Sequence, residues 1–169
     1  MAIIRLAHEG YGQLELNQVA FRRDGRIEAQ CAIGNIGDKT YIENGMILAI
    51  DQATRTVGYP KGGDEFLALN YTTEHEYDER NIGLKTYKLD KGTFYPRLGY
   101  LATGDKFTTN CVSYDDASEI DDICATAAYG HAYTDGSILV NNTKEGAILK
   151  VVKLTTMPDG QAAIKFIAL

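Results

Sequence analysis

The stretch from Thr93 to Val112, TFYPRLGYLATGDKFTTNCV, decides the fold. Phe94, Tyr95, Leu98, Tyr100 and Leu101 supply the aromatic and aliphatic bulk that suits a pleated, half-buried surface. Thr103-Gly104-Asp105 reads as a turn, because Gly-Asp reverses a chain readily. Lys106 to Val112 then resumes an extended pattern. Phe107 and Cys111 share one face with Asp105 and Thr109, and Lys106, Thr108 and Asn110 share the other. The reading is strand, turn, strand.

The same signals recur on both sides. Ile27 to Ile36 predicts a strand ended by Gly34 and Gly37-Asp38. Asn44-Gly45 is a strong turn dipeptide before the short apolar run Met46–Ile50. With the polar link Gln52–Arg55 and Thr56–Tyr59 behind it, a hairpin is predicted over 46–59. Pro60 to Asp64 closes that hairpin, and Phe66–Tyr71 begins another strand. Thr72 to Asn81 is a charged connection, followed by a strand over Leu84–Leu89. Ser118 with Asp121 resembles a helix-opening box, which predicts a short helix within 119–128. Ser137–Val140, Ala147–Thr156 and Ala162–Leu169 read as strands, the last two separated by the strong reversal Met157-Pro158-Asp159-Gly160. Strands repeating every 8–15 residues or so, with turn chemistry between them, predict a mainly β fold. The expected form is a single-domain barrel or sandwich over 1–169, with hairpins and at most one or two short helices. Residues 1–30 hold neither a period of two nor of 3.6 for long and are expected as an extended docking arm.

A chain of 169 residues buries about 70% of its unfolded surface and needs no metal or disulfide to fold. Seventeen glycines, eleven tyrosines and no tryptophan fit a turn-rich β protein. The net charge is -6, and residues 61–122, with seven Lys/Arg against thirteen Asp/Glu, carry the whole excess. Residues 137–169 carry four against two. No basic face is visible in the sequence, so nucleic acid is not the expected partner. Cys31, Cys111 and Cys124 form no C-x-x-C pair and read as small buried residues in a reducing compartment. The start, MAIIRLAHEGYG, lacks the apolar core of a secretory signal, and no stretch approaches the ~20 apolar residues of a membrane helix. The expected place is the cytosol or something assembled there, with no membrane partner. The sequons at Asn70 and Asn141 then go unread.

The search for chemistry finds little. Gly34-Asn35-Ile36-Gly37 and Gly58 to Gly63 lack the Lys-Ser/Thr of a phosphate loop and read as turns. No G-x-S-x-G elbow exists. Asp135-Gly136-Ser137 lies near His131 in sequence only. Glu74-His75-Glu76 reads as a solvated loop. The acidic run Asp115, Asp116, Glu119, Asp121 and Asp122 could attract calcium but lacks the EF-hand register. Nothing selects a carboxylate pair for glycoside chemistry. No catalytic residue, metal ligand or cofactor is therefore assigned. An acidic β domain rich in Tyr is a reasonable surface binder, because Tyr anchors interfaces well.

Glu43-Asn44-Gly45-Met46-Ile47-Leu48-Ala49-Ile50-Asp51, together with Pro96-Arg97-Leu98-Gly99-Tyr100-Leu101-Ala102-Thr103-Gly104-Asp105-Lys106-Phe107-Thr108-Thr109-Asn110, resembles small virion structural proteins of tailed bacteriophages. The resemblance is to head decoration, or cement, proteins and spans about 43–112. It implies a non-enzymatic β-rich protein on the capsid exterior, assembled in the host cytoplasm, bound to the lattice of major capsid protein as a homotrimer or as a monomer at lattice centres. No functional residue carries across. From charge placement alone, Arg5, Arg22, Arg23 and Arg26 are the expected contacts with an acidic capsid surface. The alternatives are a glycan-binding or hydrolytic β domain, or another virion component such as a head-fibre or tail protein.

Overall fold

A computed structural model describes residues 2–63, 65–72, 87–92, 95–116 and 119–169. An eight-stranded sheet runs in the order β1 (Ile3–Arg5), β12 (Val112–Asp115), β14 (Ile138–Asn141), β13 (Tyr129–Ala132), β15 (Leu149–Thr156), β16 (Ala162–Ala168), β11 (Lys106–Thr109), β2 (Leu14–Gln18). A six-stranded sheet has the order β3 (Ile27–Glu28), β10 (Leu98–Gly99), β8 (Phe66–Asn70), β6 (Ile47–Asp51), β7 (Thr56–Gly58), β4 (Ala32–Ile33). A third sheet pairs β5 (Tyr41–Ile42) with β9 (Leu89–Asp90). Strands make up 42% of the described residues of this single, mainly β domain.

The eight-stranded sheet cannot be flat. Only Asn110 and Cys111 lie between β11 and β12, yet β14, β13, β15 and β16 separate these two strands in the sheet. Five strand spacings in a flat sheet come to about 24 Å. Three residue steps span at most about 11 Å. The sheet must curl until its seventh strand meets its second, which is the half-barrel that the fold displays.

The six-stranded sheet is buried on both faces, and strand alternation shows how. In β6, Ile47 packs into the core shared with the eight-stranded sheet, beside Leu69, Phe107 and Phe166. Its neighbours Leu48 and Ile50 face the other way, into a second core with Ile42, Val57, Leu89 and Leu98. That two-sided burial explains why β6 reads as one continuous apolar run.

The described part of this stretch, residues 95–112, does form strand, turn, strand, but its two strands lie in different sheets. β10 lies in the six-stranded sheet between β3 and β8. β11 lies in the eight-stranded sheet between β16 and β2. The link from β2 to β3 makes the same crossing alongside. Asp105 clasps the two crossings: its carboxylate accepts from the amides of Ala102 and Ala20, at 3.0 and 3.1 Å, and pairs with Arg26 at 3.5 Å. Arg26 also donates to the Tyr100 carbonyl at 2.6 Å. Between the crossings Phe21 is fully buried against Tyr71, with ring centroids 4.7 Å apart. Gly99 makes room for it, since a Cβ there would lie 2.6 Å from three Phe21 ring carbons.

Several other expectations are met. β6 and β7 form the 46–59 hairpin, and β8, β14, β15 and β16 lie where they were predicted. The helix α1 is Ile120–Ala125. Its N-cap is Glu119, which makes no side-chain cap bond, and Ser118 lies outside the described residues. The long strand over Ile27–Ile36 divides into β3 on β10 and β4 on β7, with the turn between them tied by Arg55 to Glu28 at 2.6 Å. Half of the predicted strand Leu84–Leu89, residues 84–86, lies outside the described residues, and β9 takes up its end.

Residues 1–30 are not an extended arm. β1 pairs with β12, β2 with β11 and β3 with β10, so the segment is woven into both large sheets. Its polar-rich pattern reflects edge strands, of which only β2 has a buried residue, Leu14.

Gly99→Ala should lower stability by roughly 1–3 kcal/mol through overpacking, which at this chain length lowers Tm by several degrees. The loss should shrink in a Phe21→Leu background, where the ring is gone. Thermal unfolding of the single and double variants checks this, and equal losses in both backgrounds would exclude the contact as the cause.

Candidate functional site

The seam where the curled sheet closes collects the protein's buried polar side chains. Thr109, Asn110 and Cys111 are fully buried there. The Thr109 hydroxyl donates to the Gln13 carbonyl at 2.6 Å, and the Asn110 side-chain oxygen accepts from the Gln13 amide at 2.7 Å. The Cys111 carbonyl accepts from the Ile138 amide at 3.0 Å. Two of these bonds fasten Thr109 and Asn110 to Gln13, and the third fastens Cys111 to Ile138.

Arg5, at the end of β1, reaches across this seam. Its guanidinium donates to both Glu43 carboxylate oxygens, at 3.0 and 3.2 Å, and to Cys111 Sγ at 3.1 Å. Glu43 also accepts from the Gly12 amide at 2.8 Å, and His8 Nε2 stands 4.0 Å from it. Asn70 donates to the Glu43 carbonyl at 2.8 Å. The Glu43 carboxylate therefore joins β1 to the 6–13 segment, and its backbone carbonyl adds the six-stranded sheet. Burial alone would lower the Arg5 pKa, but the Cys111 sulfur and Glu43 outweigh it and hold the value above the ordinary one.

Cys111 is not poised as a nucleophile in this cluster. Burial pushes the Cys111 thiol up to about 12, against the pull of Arg5. It is therefore a protonated S–H at neutral pH and a poor nucleophile. Ser137 bonds the Asp135 carboxylate and, at 2.6 Å, the Ser113 hydroxyl. His131 Nε2 lies 3.1 Å from the Asn141 side-chain oxygen and 3.0 Å from the Thr143 carbonyl. Asp135, Ser137 and His131 are thus not assembled as a triad.

The four arginines separate into two kinds. Arg5 and Arg26 are spent on internal partners, Glu43 and Asp105. Arg22 and Arg23 are exposed on the β2–β3 turn, where Arg23 pairs with Asp24 at 2.9 Å. Glu74-His75-Glu76 lies outside the described residues. Among the described residues no group of three His, Cys, Asp or Glu could hold a metal, the acidic residues of 115–122 included. All three cysteines are free, with Cys31 and Cys111 buried and Cys124 half-buried.

The basic surface is elsewhere, and the sequence reading missed it. The outward face of β15, β16 and β11 carries Lys150, Lys153, Lys165 and Lys106. Its signal was present in the lysine excess of residues 137–169 and in the alternation of β16, where Ile164 and Phe166 point inward and Lys165 outward. A groove of about 300 Å³ lies on the six-stranded sheet between Asn35, Asp51, Tyr59, Lys61, Glu65 and Phe66. No protein family, curated protein or solved structure matches this chain.

Glu43→Ala should cost about 3 kcal/mol, because it strands a partly buried guanidinium. Denaturant titration of this variant against Arg5→Leu/Glu43→Leu checks the pairing, with the double variant losing less than the two single losses combined.

His8 gives a pH signature. Burial and then Arg5 lower its pKa from 6.5, against the smaller upward pull of Glu43. The unfolded chain then binds the proton more readily, so stability falls as pH drops below about 6.5 and levels off below the folded value. His8→Leu should remove that slope between pH 7 and 5 in urea titrations; an unchanged slope would exclude His8 as its source.

Proposed function

We propose that this protein is a non-enzymatic structural component of a tailed-phage virion, one that binds the outer surface of the assembled capsid and reinforces it. The observation that carries the reading is the fate of the ionisable groups. Arg5, Glu43, Cys111, Arg26 and Asp105 are consumed in fastening strand to strand. What a partner meets is a stiff strand-built exterior. The two stretches that resemble decoration proteins also meet in space, since a Cβ on Gly45 would lie against Thr109 Oγ1 and Cys111. Many modest contacts repeated over a lattice hold such a body firmly without any deep pocket.

A second reading, a glycan-binding β domain, is favoured by the groove beside Phe66. That ring is 61% exposed and stands with Tyr59, Asp51 and Glu65, a stacking surface next to acceptors.

Co-sedimentation with emptied phage shells tests the first reading. Binding should saturate on assembled shells and be weak on free capsid subunits. Arg22→Ala/Arg23→Ala should lower occupancy without changing Tm, whereas Arg5→Ala and Arg26→Ala should act through stability. Equal binding to shells and free subunits would overturn the capsid role. Oligosaccharide binding that Phe66→Ala abolishes would favour the second.

A further inference from the structure

We infer that the outward face of β15, β16 and β11 is a docking surface for an acidic protein surface. It deepens the capsid reading by naming the face that binds and the chemistry it binds. Strand register sets two rows across the three strands: Lys150, Ile167, Lys106 and then Lys153, Lys165, Thr108. Neighbouring strands lie about 4.8 Å apart and alternate residues about 7 Å apart, so four lysine stems root in a patch of roughly 10 by 7 Å.

Two features make this more than a solvated face. Lys153 and Lys165 stand directly opposite each other. Like charges in that position destabilise the pair. Among the described residues none of the four lysines has an ion-pair partner, and Glu15, across from Thr108 at the rim, is in no ion pair either. The sheet thus carries a repulsion that no ion pair among the described residues offsets.

The second feature is the bulge in β15. The register with β16 shifts between Val151 and Lys153, so Val152 and Lys153 are both exposed. Bulges re-aim side chains in this way. The result is an apolar residue, 48% exposed, set among ammonium groups. A protein surface offers both carboxylates and apolar contact to such a patch. Duplex DNA fits it less well, because the chain's net charge of -6 repels a long polyanion.

The test uses the full chain with a labelled polyglutamate peptide, a 20-base-pair DNA duplex and phosphatidylserine vesicles as probes at low salt. Polyglutamate should bind most tightly, and its affinity should fall at least tenfold by 0.3 M salt. Lys153→Glu should weaken that binding about tenfold and raise Tm by about 1–3 °C, because it turns a like-charged cross-strand pair into an opposite-charged one. That combination would not arise from damage to the fold. Val152→Ser should weaken binding about two- to fivefold at unchanged Tm. Tighter binding to the duplex or the vesicles, salt-sensitive self-association that blocks polyglutamate, or affinity unmoved by Lys153→Glu would overturn the inference. Polyglutamate binding lost in Lys153→Glu, by a protein that does not sediment with shells, would support this surface and sink the capsid reading alone.

Discussion

The architecture depends on a length constraint. The backbone has Asn110 and Cys111 with which to pass from one margin of the large sheet to nearly the other. No side-chain preference has to bend the sheet, because the short link leaves no alternative. Closure brings backbone from four distant segments together where water is excluded, and each polar group there needs a partner. The Gln13, Asn110 and Thr109 bonds and the Arg5–Glu43 pair meet most of that need, and Arg5 Nε, His8 Nδ1 and Asn110 Nδ2 are the buried atoms left without a partner among the described residues. The buried polar cluster is a consequence of the topology.

A second fastening lies where the chain crosses between sheets. Asp105 and Arg26 hold the two crossings together, and Phe21 fills the space that Gly99 leaves open. The two clasps share a logic: one carboxylate, Glu43 or Asp105, receives amides and a guanidinium from segments far apart in sequence. Such groups resemble catalytic residues in type and burial, and each of them also fastens segments of the chain to one another.

Much of the fold was legible in the sequence. Alternation in β16, the continuous run of β6 and the turns at Asn44-Gly45 and Asp159-Gly160 marked their elements, because those strands face a core on a fixed period. Edge strands β1 and β2 were not legible, since pairing with β12 and β11 orders them more than their own residues do. β13, Tyr-Gly-His-Ala, has no apolar alternation and is set by β14 and β15 on either side. The arginines drew attention as a local cluster on one turn. The lysines escaped it because they lie on three strands, two of them more than forty positions apart, and only the register unites them.

The register also dictates an order of assembly. β11 is held between β2, made early, and β16, the last of the described strands. Ala2 bonds Asp116 across 114 positions. Ring closure over such distances is entropically slow, and folding rates fall as native partners become more remote in sequence. During synthesis the growing polypeptide can form the β6–β7 hairpin, but its larger sheet must wait for β16 to leave the ribosome. Until then its strand margins lie bare to neighbouring nascent chains, which makes that interval a period of exposure to aggregation.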